Sequence, residues 1–223
     1  MCYIVITAPH LDESSREVFY FARIGSMRRI VLIDGENLVY GIRHMLGSNG
    51  DKAPRSAVEN FNFRGLLEEV LADNIPSEIL WFGAKLRLYE QSDDLKRKSS
   101  DAIKAQSRFV NQIQQQKISF IKVGYLRARE SDPCENCTHQ TWKLAEKGVD
   151  VGLAVRIVLE ASPETEIVVI SADTDLLPAF IAANKLGAKL MHIGYETTPI
   201  YALTKASDIT RTITLPLAQK YKA

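Results

Sequence analysis

Residues 29–37 read RIVLIDGEN and residues 168–177 read VVISADTDLL. Each is a short, uninterrupted apolar run closed by an aspartate and followed by helix-forming residues. A run of this length, rich in Val and Ile, reads as a strand buried on both faces, and such strands belong to parallel sheets covered by helices. In open sheets of that kind, ligands bind beyond the carboxyl ends of the strands. Asp34 directly follows RIVLI, and only two residues separate Asp173 from the end of IVVI, so both carboxylates are expected at one edge. Gly35 permits the tight turn from strand to helix.

Working outward, the same alternation recurs. Glu36 to Leu46 is read as a helix closed by Gly47 and Gly50, and Ser56 to Ala72 as a second, with Phe63, Leu66, Leu67, Val70 and Leu71 at helical spacing. Glu78 to Tyr89 is strand-like, and Asp93 to Gln116 a long helix. Ile118 to Leu126 makes another strand, and Arg127 to Lys147 is read as a polar loop. A helix from Asp150 to Ala161, a strand from Glu166 to Ser171, a helix from Asp175 to Leu186 ended by Gly187, and a strand from Lys189 to Ile193 complete the pattern. Strands alternating with helices predict an α/β fold with a mostly parallel sheet covered on both faces. Residues 1–26 show mixed periodicity and are read as an N-terminal extension or an extra strand and helix. Residues 27–215 form the domain, and 216–223 a tail.

At 223 residues and 46% hydrophobic, the chain can bury a full core. Its apolar runs are too short to span a bilayer, and the N-terminus lacks a basic segment followed by an apolar signal core, so a soluble, cytoplasmic protein with no membrane partner is expected. Three cysteines in such a chain argue against a disulfide framework. The net charge of +1 hides an uneven distribution. Residues 81–129 carry 11 Lys or Arg against 4 Asp or Glu, while the remainder carries an excess of six acids. On the long helix, Leu95, Ala102, Phe109 and Ile113 share one face, and Arg97, Lys104 and Arg108 the opposite, solvent-facing one. That basic stripe suits a phosphate backbone, although a solvated charged face explains it as simply.

The acidic residues carry the chemistry. Besides Asp34 and Asp173, Asp175 completes a D-x-D, and Asp150 in KGVDVGL begins a helix whose dipole tolerates negative charge. One aspartate per helix is explained by capping. Four at one edge exceed that need, and mutually repelling carboxylates are relieved by a divalent cation. Hard oxygen ligands select Mg²⁺ or Mn²⁺ over zinc, and such centres commonly act on phosphate esters. Asn37 offers a neutral amide to a water or phosphate.

VLIDGENL, KGVDVGLAV and VVISADTDLLPAF, in this order and at these separations, resemble the NYN domain, a branch of the PIN-like nuclease superfamily that includes LabA-like proteins. The resemblance spans Met27 to Asp208. It implies a PIN-like three-layer α/β/α sandwich with a central parallel sheet, a Mg²⁺ or Mn²⁺ site and cleavage of RNA. The first acidic position then falls on Asp34, with its accompanying Asn at Asn37, the middle Asp on Asp150, and the D-x-D on Asp173 and Asp175. Relatives often carry a further acid six positions after the middle Asp. Here that position is Arg156, which either leaves the site with fewer acids or contacts phosphate. Ala172 stands where a Gly is usual, and Asp208 resembles a position near the site.

Cys134 and Cys137, with His139, could supply three ligands to zinc, but no convincing fourth follows and Cys2 is remote; reduced thiols are the simpler reading. Trp81, Trp142, Tyr125 and Tyr195 could stack on bases, although aromatics in such numbers usually belong to the core. His44 is expected to be structural or exposed. The preferred expectation is a metal-dependent endoribonuclease acting on RNA, single-stranded RNA in particular. The alternatives are a non-catalytic domain binding RNA or a protein partner, and an α/β phosphatase with Asp34 as nucleophile. The last is weaker, because position 36 is Glu where a second Asp is normally needed. A homo-oligomer stays open.

Overall fold

The computed structural model describes residues 27–222 except 49, 73–75, 133–136 and 138–140. The expected extension, residues 1–26, therefore lies outside the described residues, as do Cys2, Cys134 and His139. Among the described residues seven strands form one sheet: β1 (Arg28–Asp34), β2 (Glu78–Lys85), β3 (Ser119–Glu130), β4 (Trp142–Lys147), β5 (Thr165–Ile170), β6 (Lys189–Tyr195) and β7 (Ile209–Ile213). Their order across the sheet is β4-β3-β2-β1-β5-β6-β7, and every pair is parallel except β3 with β4. From β1 the chain first builds outward on one side, through β2 to β4, and then returns to build the other side from β5. The crevice at the carboxyl ends of β1 and β5 is thus the point where the winding direction changes, the usual ligand position in such sheets.

Helices α1 (Gly35–Met45), α2 (Phe63–Leu71), α3 (Asp93–Gln115) and α7 (Leu215–Lys220) cover one face. The other is covered by α4 (Val149–Glu160), α5 (Leu177–Lys185) and α6 (Tyr201–Lys205). Strand alternation divides the core accordingly: Val31, Ile33, Val168 and Ile170 point toward α1 and α2, and Ile30, Leu32, Ile167 and Val169 toward α4 and α5. All eight are fully buried. This is the mostly parallel sheet covered on both faces that the alternating pattern predicts, and the three-layer α/β/α sandwich that the resemblance implies.

Four sequence readings are corrected. The helix read over Ser56–Ala72 is broken into a 3-10 turn (Arg55–Val58) and α2. Asn60 takes a left-handed φ of 62°, and the Asn62 side chain caps α2 by accepting from the Gly65 N–H (2.8 Å). The strand read to Tyr89 ends at Lys85. The polar loop read from Arg127 to Lys147 is largely a hairpin: β3 continues to Glu130 and β4 returns antiparallel to it, from Glu130↔Trp142 to Tyr125↔Lys147. Its few apolar residues alternate along two short strands, and Leu126, Trp142 and Leu144 pack with Leu95 and Tyr89 in a satellite core. Finally, the segment read as a tail begins inside α7, whose Ala218 is fully buried in the main core.

At the start of α1 the backbone passes very close to β2. A Cβ on Gly35 would lie 2.1 Å from Trp81 Nε1 and 2.6 Å from the Phe82 carbonyl oxygen. Gly35→Ala should therefore lower stability by about 2 kcal/mol or more, the scale of forced overpacking. Urea unfolding would check this, and a midpoint equal to that of the wild type would show that the turn has room to move.

Candidate functional site

The carboxyl end of β1 meets that of β5 through a short chain of hydrogen bonds. Asp34 is the N-cap of α1: its Oδ1 accepts from the Asn37 N–H (3.2 Å), and its Oδ2 accepts from the Ser171 hydroxyl (2.9 Å). The Ser171 Oγ in turn accepts from the Asp173 N–H (3.0 Å), and the Ala172 N–H donates to Asn37 Oδ1 (2.9 Å). Asp173 Oδ1 accepts from the Asp175 N–H (2.9 Å) and so caps the 3-10 turn Thr174–Leu176 that leads into α5. Below these, His192 Nε2 lies 2.8 Å from the Ser171 carbonyl oxygen, and burial lowers the pKa of that imidazole. Capping thus orients the acids, and it engages one oxygen of Asp173.

The order of motifs, the sheet and this edge identify the chain. A family model described as the NYN domain matches residues 28–215. The chain belongs to the NYN domain family. A solved structure from Vibrio parahaemolyticus RIMD 2210633, described as a protein of unknown function, is similar to this NYN domain with a TM-score of 0.52. At 12% identity, over 84% of this chain and 93% of that one, the likeness is one of fold. No curated protein matches the sequence.

Electrostatics single out Asp34 in the NYN domain. It is only 6% exposed, and burial pushes its carboxyl up to about 6, opposed by the bonds from Ser171 and Asn37 and assisted by the charges of Asp150 and Asp173. Asp150 occupies the first turn of α4, where the helix terminus favours an anion. Its carboxyl is also raised, by partial burial and then by Asp173 and Asp175, with Lys147 acting against them. Asp34, Asp150, Asp173 and Asp175 are thus close enough to act on one another, although among the described residues no three His, Cys, Asp or Glu side chains converge on one point. The donors are all hard carboxylate oxygens, as Mg²⁺ or Mn²⁺ requires.

Two residues escaped the sequence reading, and a third lies in the core with an added feature. Glu146 on β4 is half-buried, and its carboxyl is raised by burial and then by Glu36 and Asp34. It adds an acid to the rim from the stretch read as a loop. Ser171 links Asp34 to the D-x-D turn, yet a serine at a strand end carries no distinctive signal. Tyr195, read as a stacking or core residue, is 2% exposed; its buried hydroxyl has no hydrogen-bond partner among the described residues and its pKa is raised by burial and by Asp34.

Other expected residues stand elsewhere. The Arg156 guanidinium lies 2.5 Å from Glu160, which also pairs with Arg28 at the amino end of β1, the edge opposite the acids. Six residues along α4 carry it about 9 Å from Asp150. Asp208 also sits at that far edge, accepting from the Leu190 N–H near the start of β6 (2.7 Å). Arg97, Lys104 and Arg108 are exposed on α3, and Arg97 pairs with Asp94 (3.0 Å). Trp81 is buried, Trp142 half-buried and Tyr125 exposed; His44 is exposed and stacks on Tyr40. Of the zinc candidates only Cys137 is described, and it is exposed.

The raised Asp34 carboxyl has a direct effect on stability. Its folded pKa, about 6, exceeds the ordinary 3.8, so ionisation weakens the fold. The penalty is complete above about pH 6 and disappears as pH falls toward 4. Asp34→Asn in EDTA should accordingly stabilise the protein at pH 7.5 by about 2 kcal/mol, and the gain should fade by pH 4. Urea unfolding at both pH values tests this; equal effects at the two would mean that Asp34 ionises freely.

Proposed function

We propose that this NYN domain is a metal-dependent endoribonuclease that hydrolyses phosphodiester bonds of RNA, single-stranded RNA in particular. The observation that carries the reading is Asp34: a buried carboxyl with a raised pKa, held at the sheet's switch point beside Asp150 and Asp173. NYN domains are generally nucleases, and this edge is where their chemistry would be placed. Asp34, Asp150, Asp173 and Asp175 would hold Mg²⁺ or Mn²⁺. When bound, the ion supplies Lewis-acid stabilisation of phosphate charge and lowers the pKa of water.

The chain's own residues supply position. Ser171 and the Asn37 N–H fix both oxygens of Asp34, and the Asn37 side-chain amide nitrogen has no partner among the described residues, leaving it free to donate to a phosphate oxygen. The α4 terminus favours ionised Asp150. Against a phosphatase with Asp34 as nucleophile stands the position of Glu36, exposed and paired with Arg55 instead of serving as a second acid. Arg156 is engaged by Glu160, so reversing its charge is not expected to repair or damage the site.

Purified protein with millimolar Mn²⁺ or Mg²⁺ should cut labelled single-stranded RNA, and EDTA should stop it. Asp34→Asn should slow cleavage roughly 10²- to 10³-fold, the scale of losing one preorganised charge-stabilising group, with RNA binding undiminished. Cleavage that survives both treatments would sink the proposal, and binding without cleavage would favour a non-catalytic module. Independently, Mn²⁺ should raise the melting temperature of the wild type by mass action, whereas Asp173→Asn should show little shift.

A further inference from the structure

The β3–β4 hairpin stands beyond the rest of the sheet. Its last parallel pairing is Lys85↔Tyr125, yet β3 runs on to Glu130, paired only with β4. Side-chain alternation gives this arm two unlike faces. Leu126, Ala128, Trp142 and Leu144 pack on Leu95 and Tyr89, and Glu146 follows on the same face toward Asp34. The arm is pinned there: the Tyr89 hydroxyl donates to the Leu126 carbonyl (2.6 Å) and accepts from the Ala128 N–H (3.2 Å), and Lys98 Nζ donates to the Trp142 carbonyl (3.2 Å).

The opposite face carries Tyr125, Arg127 and Arg129 from β3, and Lys143, Ala145 and Lys147 from β4, in the cross-strand pairs Tyr125↔Lys147, Arg127↔Ala145 and Arg129↔Lys143. All but Ala145 are exposed, Tyr125 to 54%. Arg129 directly opposite Lys143 places like charges together, an arrangement that destabilises a hairpin. The acids of the arm, Glu130 and Glu146, fall on the other face. Arg127, Arg129 and Lys143 have no hydrogen-bond or ion-pair partner among the described residues. This face follows the arm for about 13 Å and ends at Lys147, whose charge already acts on Asp150.

We infer that the exposed basic face of the β3–β4 arm is a track for single-stranded RNA that delivers the backbone to the acidic edge, with Tyr125 stacking on a base. Unpaired cations in register attract successive phosphates, and an exposed aromatic ring among them suits an unpaired base. The inference rests on RNA being the substrate, but binding and cleavage are separable. The α3 stripe is less suited, because it runs along a helix on the opposite face and its Arg97 is already paired with Asp94.

The test measures binding of a fluorescent uridine 20-mer by anisotropy in EDTA, over a series of salt concentrations, with the whole 223-residue chain. Arg127→Gln/Arg129→Gln/Lys143→Gln should bind far more weakly and lower the log–log salt slope by about 2, three charges at single-strand weighting. Tyr125→Ala should weaken binding roughly tenfold at unchanged slope. The charge-matched Arg97→Gln/Lys104→Gln/Arg108→Gln variant should change the slope less, and unchanged melting temperatures and circular dichroism exclude misfolding. A wild-type slope in the arm variant, a larger effect from the stripe, or no RNA binding by the wild type would overturn the inference, the last leaving the face to an acidic protein. Wild-type binding that depends on the arm, without cleavage in Mn²⁺, would uphold the track while defeating the nuclease reading. Cleavage with an arm variant that binds normally would do the reverse.

Discussion

The register of β1 against β5 is the constraint on which the site depends. Ile33 stands opposite Ile170, so the next residues, Asp34 and Ser171, leave the sheet side by side. The hydroxyl of one then meets the carboxylate of the other at 2.9 Å. A slip of one residue would turn every buried side chain of β1 to the wrong face, and eight fully buried aliphatics on these two strands resist it. Hydrophobic packing therefore sets the position of a polar contact, and that contact orients the D-x-D turn through Ser171.

The same edge holds charge that folding alone does not explain. Burial and neighbouring acids act together to raise Asp34, and a cap that served only the helix would not need Asp150, Asp173 and Glu146 nearby. On the arm the excess is of opposite sign, with Arg129 and Lys143 facing each other across two strands. Acids at the edge and cations on the approach form a gradient along which a polyanion would be drawn, then held against carboxylates that only a cation can bridge. Local rules of stability are broken at both places, which is where function is expected to reside.

Packing also sets where Arg156 lies. Its i, i+4 partner Glu160 already holds Arg28, so the guanidinium is directed along α4 to the amino edge of the sheet. Glu146 instead brings a carboxylate to the rim from another element, one that lies within reach only because β4 runs antiparallel.

Much was legible from local sequence. The runs IVLI and IVVI are apolar without interruption, as in a strand buried on both faces, and their alternation with helical segments gave the parallel sheet, its covered faces and the edge expected to carry the aspartates. The long helix and its buried face followed from periodicity in the same way. The sequence alone did not reveal the arm, because its apolar residues are few and its inner face is covered by a helix some thirty residues away. Nor could it place Glu146, Ser171 or Arg156, whose roles depend on which neighbours the fold brings within a few Å. Strand and helix identity is written in the spacing of residues along the chain, whereas the partner of a polar side chain is decided by contacts between residues far apart in it.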